Sequence, residues 1–162
     1  MKKIFLILII LSTVLFTASG YSDKNNTMDA ELYYVDSSML RLIPSDYTIN
    51  TSSKNKAAKA VISELVSGRD DNTKILRIIP DIKNGLSVKV KGTTAYVNMS
   101  REFVESHSDS RLHEQLTIYQ IVNSLTSIDG IVTVKFTIDN KQEKDFKGFI
   151  DMRETFIPDY YI

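Results

Sequence analysis

Two neighbouring stretches of the chain alternate apolar and polar residues. Residues 85–92 have the sequence GLSVKVKG, and residues 94–100 have the sequence TAYVNMS. A period of two places alternate side chains on one face of a half-buried strand. The pattern therefore predicts a β-hairpin that turns at Gly92-Thr93 and buries one apolar set: Leu86, Val88, Val90, Ala95, Val97 and Met99.

Helical periodicity occurs on both sides of this hairpin. Residues 54–67 carry an apolar stripe that ends at Gly68, with Ser52 or Ser53 as the expected cap. Residues 111–128 predict a second helix, capped by Ser108 or Ser110, whose broader stripe indicates burial against a sheet and a further element. The members of that stripe are Leu112, Leu116, Ile118, Tyr119, Ile121, Val122 and Leu125.

Further strands are predicted near both ends of the chain. Residues 30–35 and 39–43 form a candidate pair, and Pro44 either ends the second strand or confines it to a sheet edge. Residues 131–138 alternate again, and residues 148–152 predict a final short strand. The alternation at 131–138 places Val132, Val134, Phe136 and Ile138 on the core side.

These elements predict an α+β sandwich, in which two helices pack on one face of a small mixed or antiparallel sheet. Residues 75–79 fit a short helical turn and an extended segment equally well, because Pro80 stops either one. We expect residues 30–157 to form a single domain, followed by a C-terminal tail at 158–162.

The first twenty residues have the pattern of a targeting segment. Lys2 and Lys3 precede an apolar run at 4–16, and small residues follow at 17–20. The run is shorter than the roughly 20 residues of a spanning helix, which favours a cleaved signal peptide over an uncleaved anchor. Both alternatives place the domain outside the cytoplasm, and residues 21–29 predict a flexible tether.

The chain contains no cysteine, and this excludes several kinds of chemistry. Disulfides, thiol catalysis, cysteine-ligated zinc and iron–sulfur clusters all need that residue. Tyr21 follows the small residues at the position where a bacterial lipoprotein carries its lipid-bearing cysteine, so lipid attachment at residue 21 is excluded.

The charge balance gives no indication of nucleic-acid binding. The chain has 20 basic and 20 acidic residues, and removal of the segment with Lys2 and Lys3 leaves 18 against 20. Nucleic-acid binding needs a basic patch to neutralise phosphates, and a mildly acidic, mixed surface does not supply one.

No catalytic or metal-binding motif is recognisable. His107 and His113 are six residues apart around a helix start, whereas two ligands on one helical face are three or four apart, so we expect a solvated pair. Asp70-Asp71 and residues 139–143 lack the ligand spacing of a calcium loop. Carboxylate pairs that assemble only in space stay open. We expect no catalytic residues, no metal, no cofactor and no enzymatic activity.

Tyr96 is the leading candidate for a binding residue. It alternates with Ala95 and Val97, so it points away from the core face, and tyrosine is favoured at protein interfaces. Core or edge packing is the alternative role for the chain's tyrosines. Lys89 shares the outer hairpin face, and Lys135 joins it if the strands pair, so we predict an interaction surface of Tyr96, Lys89 and Lys135.

The order of elements, and the sequences of several of them, resemble the GerMN domain of bacterial sporulation and germination proteins. The matching segments lie at 32–35, 57–68, 79–80, 86–90, 95–103, 120–125, 131–139 and 148–152. The resemblance implies a non-enzymatic extracytoplasmic domain, similar in topology to the ring-building domains of secretion and sporulation channels. The chain departs from the sporulation member in having one copy instead of two and Tyr21 instead of a cysteine.

We therefore expect a secreted or membrane-associated interaction and assembly module of a Gram-positive, spore-forming bacterium. Its expected partners are envelope or sporulation-complex proteins, or further copies of itself, with no nucleic acid. Membrane contact is expected only through an uncleaved N-terminal segment. The alternative is an envelope domain that binds a small molecule or cell-wall fragment, which a concave apolar pocket would favour. An envelope hydrolase would need clustered acids in a cleft.

Overall fold

Six strands and three helices make up the part of the chain that the computed structural model describes, residues 26–68 and 75–162. The predicted signal segment, Tyr21 and the polar loop with Asp70-Asp71 lie outside the described residues. The elements are β1 (Met28–Asp36), β2 (Leu42–Ile49), α1 (Lys54–Ser67), β3 (Ile75–Leu76), β4 (Leu86–Lys91), β5 (Thr94–Met99), α2 (Arg101–Glu105), α3 (Arg111–Thr126) and β6 (Thr133–Ile138).

One sheet contains the predicted hairpin, in the strand order β4-β5-β6. Strands β4 and β5 are antiparallel, and Gly92 turns between them with a φ of 60°, which suits the first position of a tight hairpin turn. Strand β6 pairs with β5 in parallel, so the chain crosses over through α2 and α3 before it returns. The hairpin is confirmed, and its apolar set faces the core.

The other sheet has the order β2-β1-β3. Pro44 lies within the edge strand β2, where a missing N–H interrupts no further ladder. On the opposite edge of β1, the amide of Tyr33 donates to the hydroxyl of Ser124 on α3, and the amide of Glu31 donates to the hydroxyl of Ser127 just after this helix, each at 2.8 Å. Helix α3 thus takes the edge position that another strand would need, and the strands divide between two sheets.

The helices join the two sheets around one core. Helix α1 packs on β4 and β1, α3 packs on β1 and β6, and the two helices contact each other. The broad stripe of α3 is explained by these contacts, because the helix is covered on several sides. The α+β class is confirmed. The largest fully buried side chains include Phe103, Leu32, Leu65, Met99, Leu116, Ile118, Ile121, Leu125, Ile128, Ile138 and Met152.

Four details differ from the sequence-based predictions. The second strand runs from Leu42 to Ile49 and not over residues 39–43 as the pattern predicts, because Met39 lies in the turn before it with a φ of 58°. Leu112 is 39% exposed and Val132 is 56% exposed, because the first lies in the opening turn of α3 and the second precedes β6, beyond the layers that cover the core. Residues 148–152 form no strand; the single bridge in this region joins Asp145 and Asp151. The short helix α2 was not predicted, although Ser100 caps it by accepting from the amide of Phe103.

The last residues of the chain pack on the domain. Asn123 of α3 donates to the carbonyl of Asp159 at 2.7 Å and accepts from its amide at 3.0 Å. The amide of Leu42 donates to the Ile162 carbonyl at 2.9 Å. These contacts tie residues 159–162 to α3 and to the start of β2.

Candidate functional site

The side of the β4-β5-β6 sheet that faces away from the helices is a regular, solvent-facing surface. We call it the outer sheet face. Its side chains are exposed or half-buried, so nothing in residues 26–68 and 75–162 covers it as the helices cover the other side. The face comprises Ser87, Lys89, Lys91, Thr94, Tyr96, Asn98, Thr133, Lys135 and Thr137, which include three lysines and no acidic residue.

The three residues predicted as an interaction surface form one row across this face. Lys89 on β4 pairs with Tyr96 on β5, and Tyr96 pairs with Lys135 on β6. Directly paired residues bring their Cβ atoms to about 5 Å, so the row is continuous. Tyr96 is 41% exposed. The structure therefore places these side chains together, and their binding to a partner stays a prediction.

Polar contacts fix the backbone and side chains around the row. The hydroxyls of Thr94 and Thr133 are 2.9 Å apart, and the Thr137 hydroxyl donates to Oδ1 of Asn98 at 3.0 Å. Each contact joins β5 to β6. The outer sheet face is thus an ordered platform whose side chains are held before any partner arrives, which lowers the entropy lost on binding.

Lys91 is a member of the face that the sequence-based prediction did not select. Its ammonium nitrogen lies 5.7 Å from the centre of the Tyr96 ring, within the range of a cation–π interaction. The signal was present in the sequence, since Lys91 follows Lys89 by two residues on the same strand. A positive charge against the ring makes Tyr96 a more favourable contact for an anionic group.

A groove of about 570 Å³ opens beside the free edge of β4. One wall is the face of α1 that carries Lys59, Ile62 and Val66, and the other is β4 with Lys89. The groove continues past this edge on to the outer sheet face, where Tyr96, Asn98 and Thr137 also line it. Ile62 is 5% exposed, whereas both lysines are exposed. No aspartate or glutamate lines the groove, so it combines an apolar wall with two positive charges.

His107 is buried, which corrects the prediction of a solvated histidine pair. It is 5% exposed, with its ring packed edge-on against Phe146. Nδ1 lies 3.0 Å from the Ser108 carbonyl, which can only accept, so Nδ1 carries the proton. Nε2 then accepts from the Thr117 hydroxyl at 2.7 Å. The sequence alone does not predict this contact, because Thr117 lies ten residues further along the chain, on α3.

Burial lowers the pKa of His107 below its usual value of 6.5, since the charged imidazolium would lose its hydration. The hydrogen bond to the Ser108 carbonyl and the charge of Asp109 act in the opposite direction, whereas His113 and Lys147 add to the lowering. The unfolded chain therefore binds a proton at a higher pH than the folded chain does.

We expect this histidine to make the protein less stable as the pH falls from 7 to 5. The unfolded state takes up the proton first, so the free energy of unfolding falls below about pH 6.5 and levels off below the folded pKa. Urea unfolding at each pH should show a smaller decline for His107→Gln than for the parent. His113→Gln is the control and should keep most of the parent's decline, because burial is the main cause of the lowered His107 pKa; equal slopes for all three proteins would contradict the prediction.

A buried carboxylate on α3 organises the segment after β6. Glu114 is fully buried, and its Oε1 accepts from the Ile150 amide at 2.7 Å. Because Glu114 bonds to a backbone amide, we interpret it as a structural residue. In the described ranges, no group of three or more histidine, aspartate or glutamate side chains is arranged to hold a metal ion. No helix among the described residues has the length and apolar character to cross a membrane.

Comparison with known proteins decides the family. The family model Germane, described as "Sporulation and spore germination", matches residues 31–144. The chain belongs to the Germane family. This match runs from within β1 to beyond β6 and therefore includes both the outer sheet face and the groove. The resemblance to GerMN domains that the sequence indicated is confirmed. No curated protein matches the chain.

Solved structures of similar fold agree with this membership. A Clostridium perfringens protein titled "Putative Lipoprotein" is 22% identical, with 86% of this chain and 93% of that chain covered and a TM-score of 0.59. The first GerMN domain of the sporulation protein GerM from Bacillus subtilis is 21% identical, with 75% and 89% covered and a TM-score of 0.55.

The tandem GerMN domains of the same Bacillus subtilis protein are 18% identical to this chain, with a TM-score of 0.58. The match covers 88% of this chain and 49% of the tandem, so the chain spans about half of that structure. At these identities the likeness shows the fold that a Germane domain adopts.

Proposed function

We propose that this Germane domain is a non-enzymatic assembly module that works outside the cytoplasm and docks a protein partner on the outer sheet face. The observation that carries the proposal is the row of Lys89, Tyr96 and Lys135 on an ordered and uncovered sheet. An aromatic residue at the centre of a polar rim is the arrangement of many binding hot spots. The lysines favour a partner with an acidic surface, because opposite charges speed association and select orientation.

Two further observations support the setting. The family description concerns sporulation and germination, and one protein of similar structure is titled as a lipoprotein, which supports an envelope location. This chain has no cysteine for lipid attachment, so it would reach the envelope through the segment at residues 1–20. Envelope or sporulation proteins, and further copies of the chain, are the proposed partners.

Position-specific photocrosslinking in cells of the source organism tests this proposal. A photoreactive amino acid at position 96 should give a discrete crosslinked species, and the same group at Tyr161, which is fully exposed on the C-terminal segment, should not. Reversing the charges of Lys89 and Lys135 should remove the crosslink at 96. A crosslink pattern identical at both positions would show that the outer sheet face has no special role.

Tyr96→Ala should weaken binding to the partner identified in that way by roughly 30-fold, because truncating a central aromatic hot spot costs about 2 kcal/mol or more. The free energy of unfolding should change little, since the side chain is exposed on the sheet. Titration calorimetry with the purified partner measures the affinity. Tyr161→Ala is the matched control and should bind as the parent does; unchanged affinity for Tyr96→Ala would reject the tyrosine as the centre of the interface.

A further inference from the structure

The free edge of β4 has backbone groups that its own sheet does not use. In an antiparallel pair, residues alternate between those that bond to the partner strand and those whose N–H and C=O point away from it. The Gly85 carbonyl accepts from the amide of Ser100, which directly follows β5, at 2.8 Å. This bond shows which residues of β4 face β5 and which face away from it. By that phase, Val88 and Val90 point their backbone groups away from β5.

Only one of these two positions is occupied by a side chain. The Val90 amide donates to Oδ1 of Asn55 at 3.0 Å, so α1 closes that end of the edge. No side chain within 26–68 or 75–162 takes the same place at Val88. The opposite border of the sheet differs, because there the amide and carbonyl of Val134 on β6 both bond to Phe156. Within the described residues, the sheet is therefore closed along β6 and open along β4.

The open edge lies in the groove, and the groove has the shape of a site for one more strand. Its far wall is α1, which presents Ile62 and Val66 on one helical face. Its rim on the outer side carries Lys89, which points to the outer sheet face together with Tyr96. A strand laid along β4 would place alternate side chains towards α1 and towards Lys89.

From this geometry we infer that the groove is a strand-addition site for an extended segment of a second protein, in which acidic and apolar residues alternate. The segment hydrogen-bonds to the backbone of β4 at Val88 and lengthens the sheet by one strand. Its apolar side chains pack on Ile62 and Val66. Its acidic side chains lie on the outer side, where Lys89 is available and no acid of the groove opposes them.

This inference goes beyond the proposed function and does not depend on it. The proposed partner docks on the face of the sheet across Lys89, Tyr96 and Lys135, whereas the added segment extends the sheet at its edge. The two surfaces adjoin, because Lys89 and Tyr96 also line the groove. Lys135 does not line the groove. Ser63 does line it, is exposed, and lies on α1 away from the outer sheet face. Substitutions at these two positions therefore separate the two sites.

The test is a nuclear magnetic resonance titration of the purified full chain with the blocked peptide Glu-Val-Glu-Thr-Glu-Val-Glu. We expect saturable shifts of the Val88 amide and slower hydrogen exchange at that amide in the complex. The peptide is also made with alternate amides N-methylated, in both registers. In the register that faces β4, the methyl group removes the donor to the Val88 carbonyl, and binding should weaken roughly five- to tenfold.

Charge and access are tested by variants of the chain. The lysine counterpart of the peptide should bind the parent more weakly, and the Lys59→Glu/Lys89→Glu chain should reverse that preference. Ser63→Phe fills the groove and should abolish the Val88 response. Ser52→Phe adds the same ring at an exposed position outside the groove and should bind as the parent does.

The possible results distinguish strand addition in the groove from docking on the outer sheet face. No saturable change at Val88 with millimolar peptide, or equal binding by both N-methylated peptides, overturns strand addition. Lys135→Glu should leave peptide binding intact. If crosslinking at position 96 fails while the peptide still binds at Val88, docking on the outer sheet face is rejected and strand addition in the groove is retained. If crosslinking succeeds and the peptide does not bind, only strand addition is rejected.

Discussion

Phe103→Ala should lower the free energy of unfolding by about 3–5 kcal/mol, as expected for deletion of a fully buried ring. Phe103 is completely buried on the short helix α2, with its ring centre 6.3 Å from that of Phe146. A Cβ placed on Gly85 would lie only 3.2 Å from the ring, so the ring also fills the space at the start of β4. Its loss leaves a cavity where α2, β4 and the segment after β6 meet.

Urea unfolding monitored by circular dichroism measures this loss. Phe149→Ala is the matched control, because Phe149 is 50% exposed in the same segment as Phe146 and its truncation leaves no enclosed cavity. We expect less than about 1 kcal/mol for that control, as for most surface substitutions. Similar losses for the two phenylalanines would show that the Phe103 ring does not occupy the core.

The second large effect is expected at Asn123→Ala, which should destabilise the domain by about 2–4 kcal/mol. Asn123 is fully buried on α3, and its amide group bonds to both the amide and the carbonyl of Asp159. The alanine removes two hydrogen bonds and leaves two backbone groups without their partner. Residues 159–162 should then exchange their amide hydrogens faster than the rest of the domain.

Asn55→Ala provides the contrast to this result. Asn55 also bonds to a backbone amide, that of Val90, but this contact is exposed and water can replace it. We therefore expect a loss of about 1 kcal/mol or less. Hydrogen exchange combined with urea unfolding compares the two variants. If Asn123→Ala leaves exchange at residues 159–162 unchanged, the side chain does not hold this segment.

The site was partly predictable because sheet faces follow from alternation alone. A period of two placed Lys89 and Tyr96 on the outer side of the hairpin before any pairing was known. The same rule applied to Lys91, whose contact with the Tyr96 ring nonetheless depends on the strand pairing. Lys135 joins the row only because β6 pairs with β5, and the residues paired there are 39 positions apart.

The groove could not be predicted from the sequence. Lys59 and Ile62 lie on α1, and Val88 lies on β4, so the site exists only where a helix packs beside a strand edge. The helical stripe predicted that Ile62 would be buried, but not which strand it would face. The burial of His107 also depends on tertiary packing, because its hydrogen-bond partner Thr117 lies on α3.

The sequence by itself determined the local elements of this protein: the hairpin at Gly92-Thr93, the helix α1 from Lys54 to Ser67 and the long helix α3. It also indicated the family. Periodicity and turn chemistry act between near neighbours, so the sequence contains that information directly. The tertiary structure decided the division into two sheets, the closed edge at β6 and the open edge at β4. Those features depend on which distant backbone groups meet. The hydroxyls of Ser124 on α3 and of Ser127 just after it accept the amides of Tyr33 and Glu31, so β3 pairs with β1 only at Val35 and Asp36.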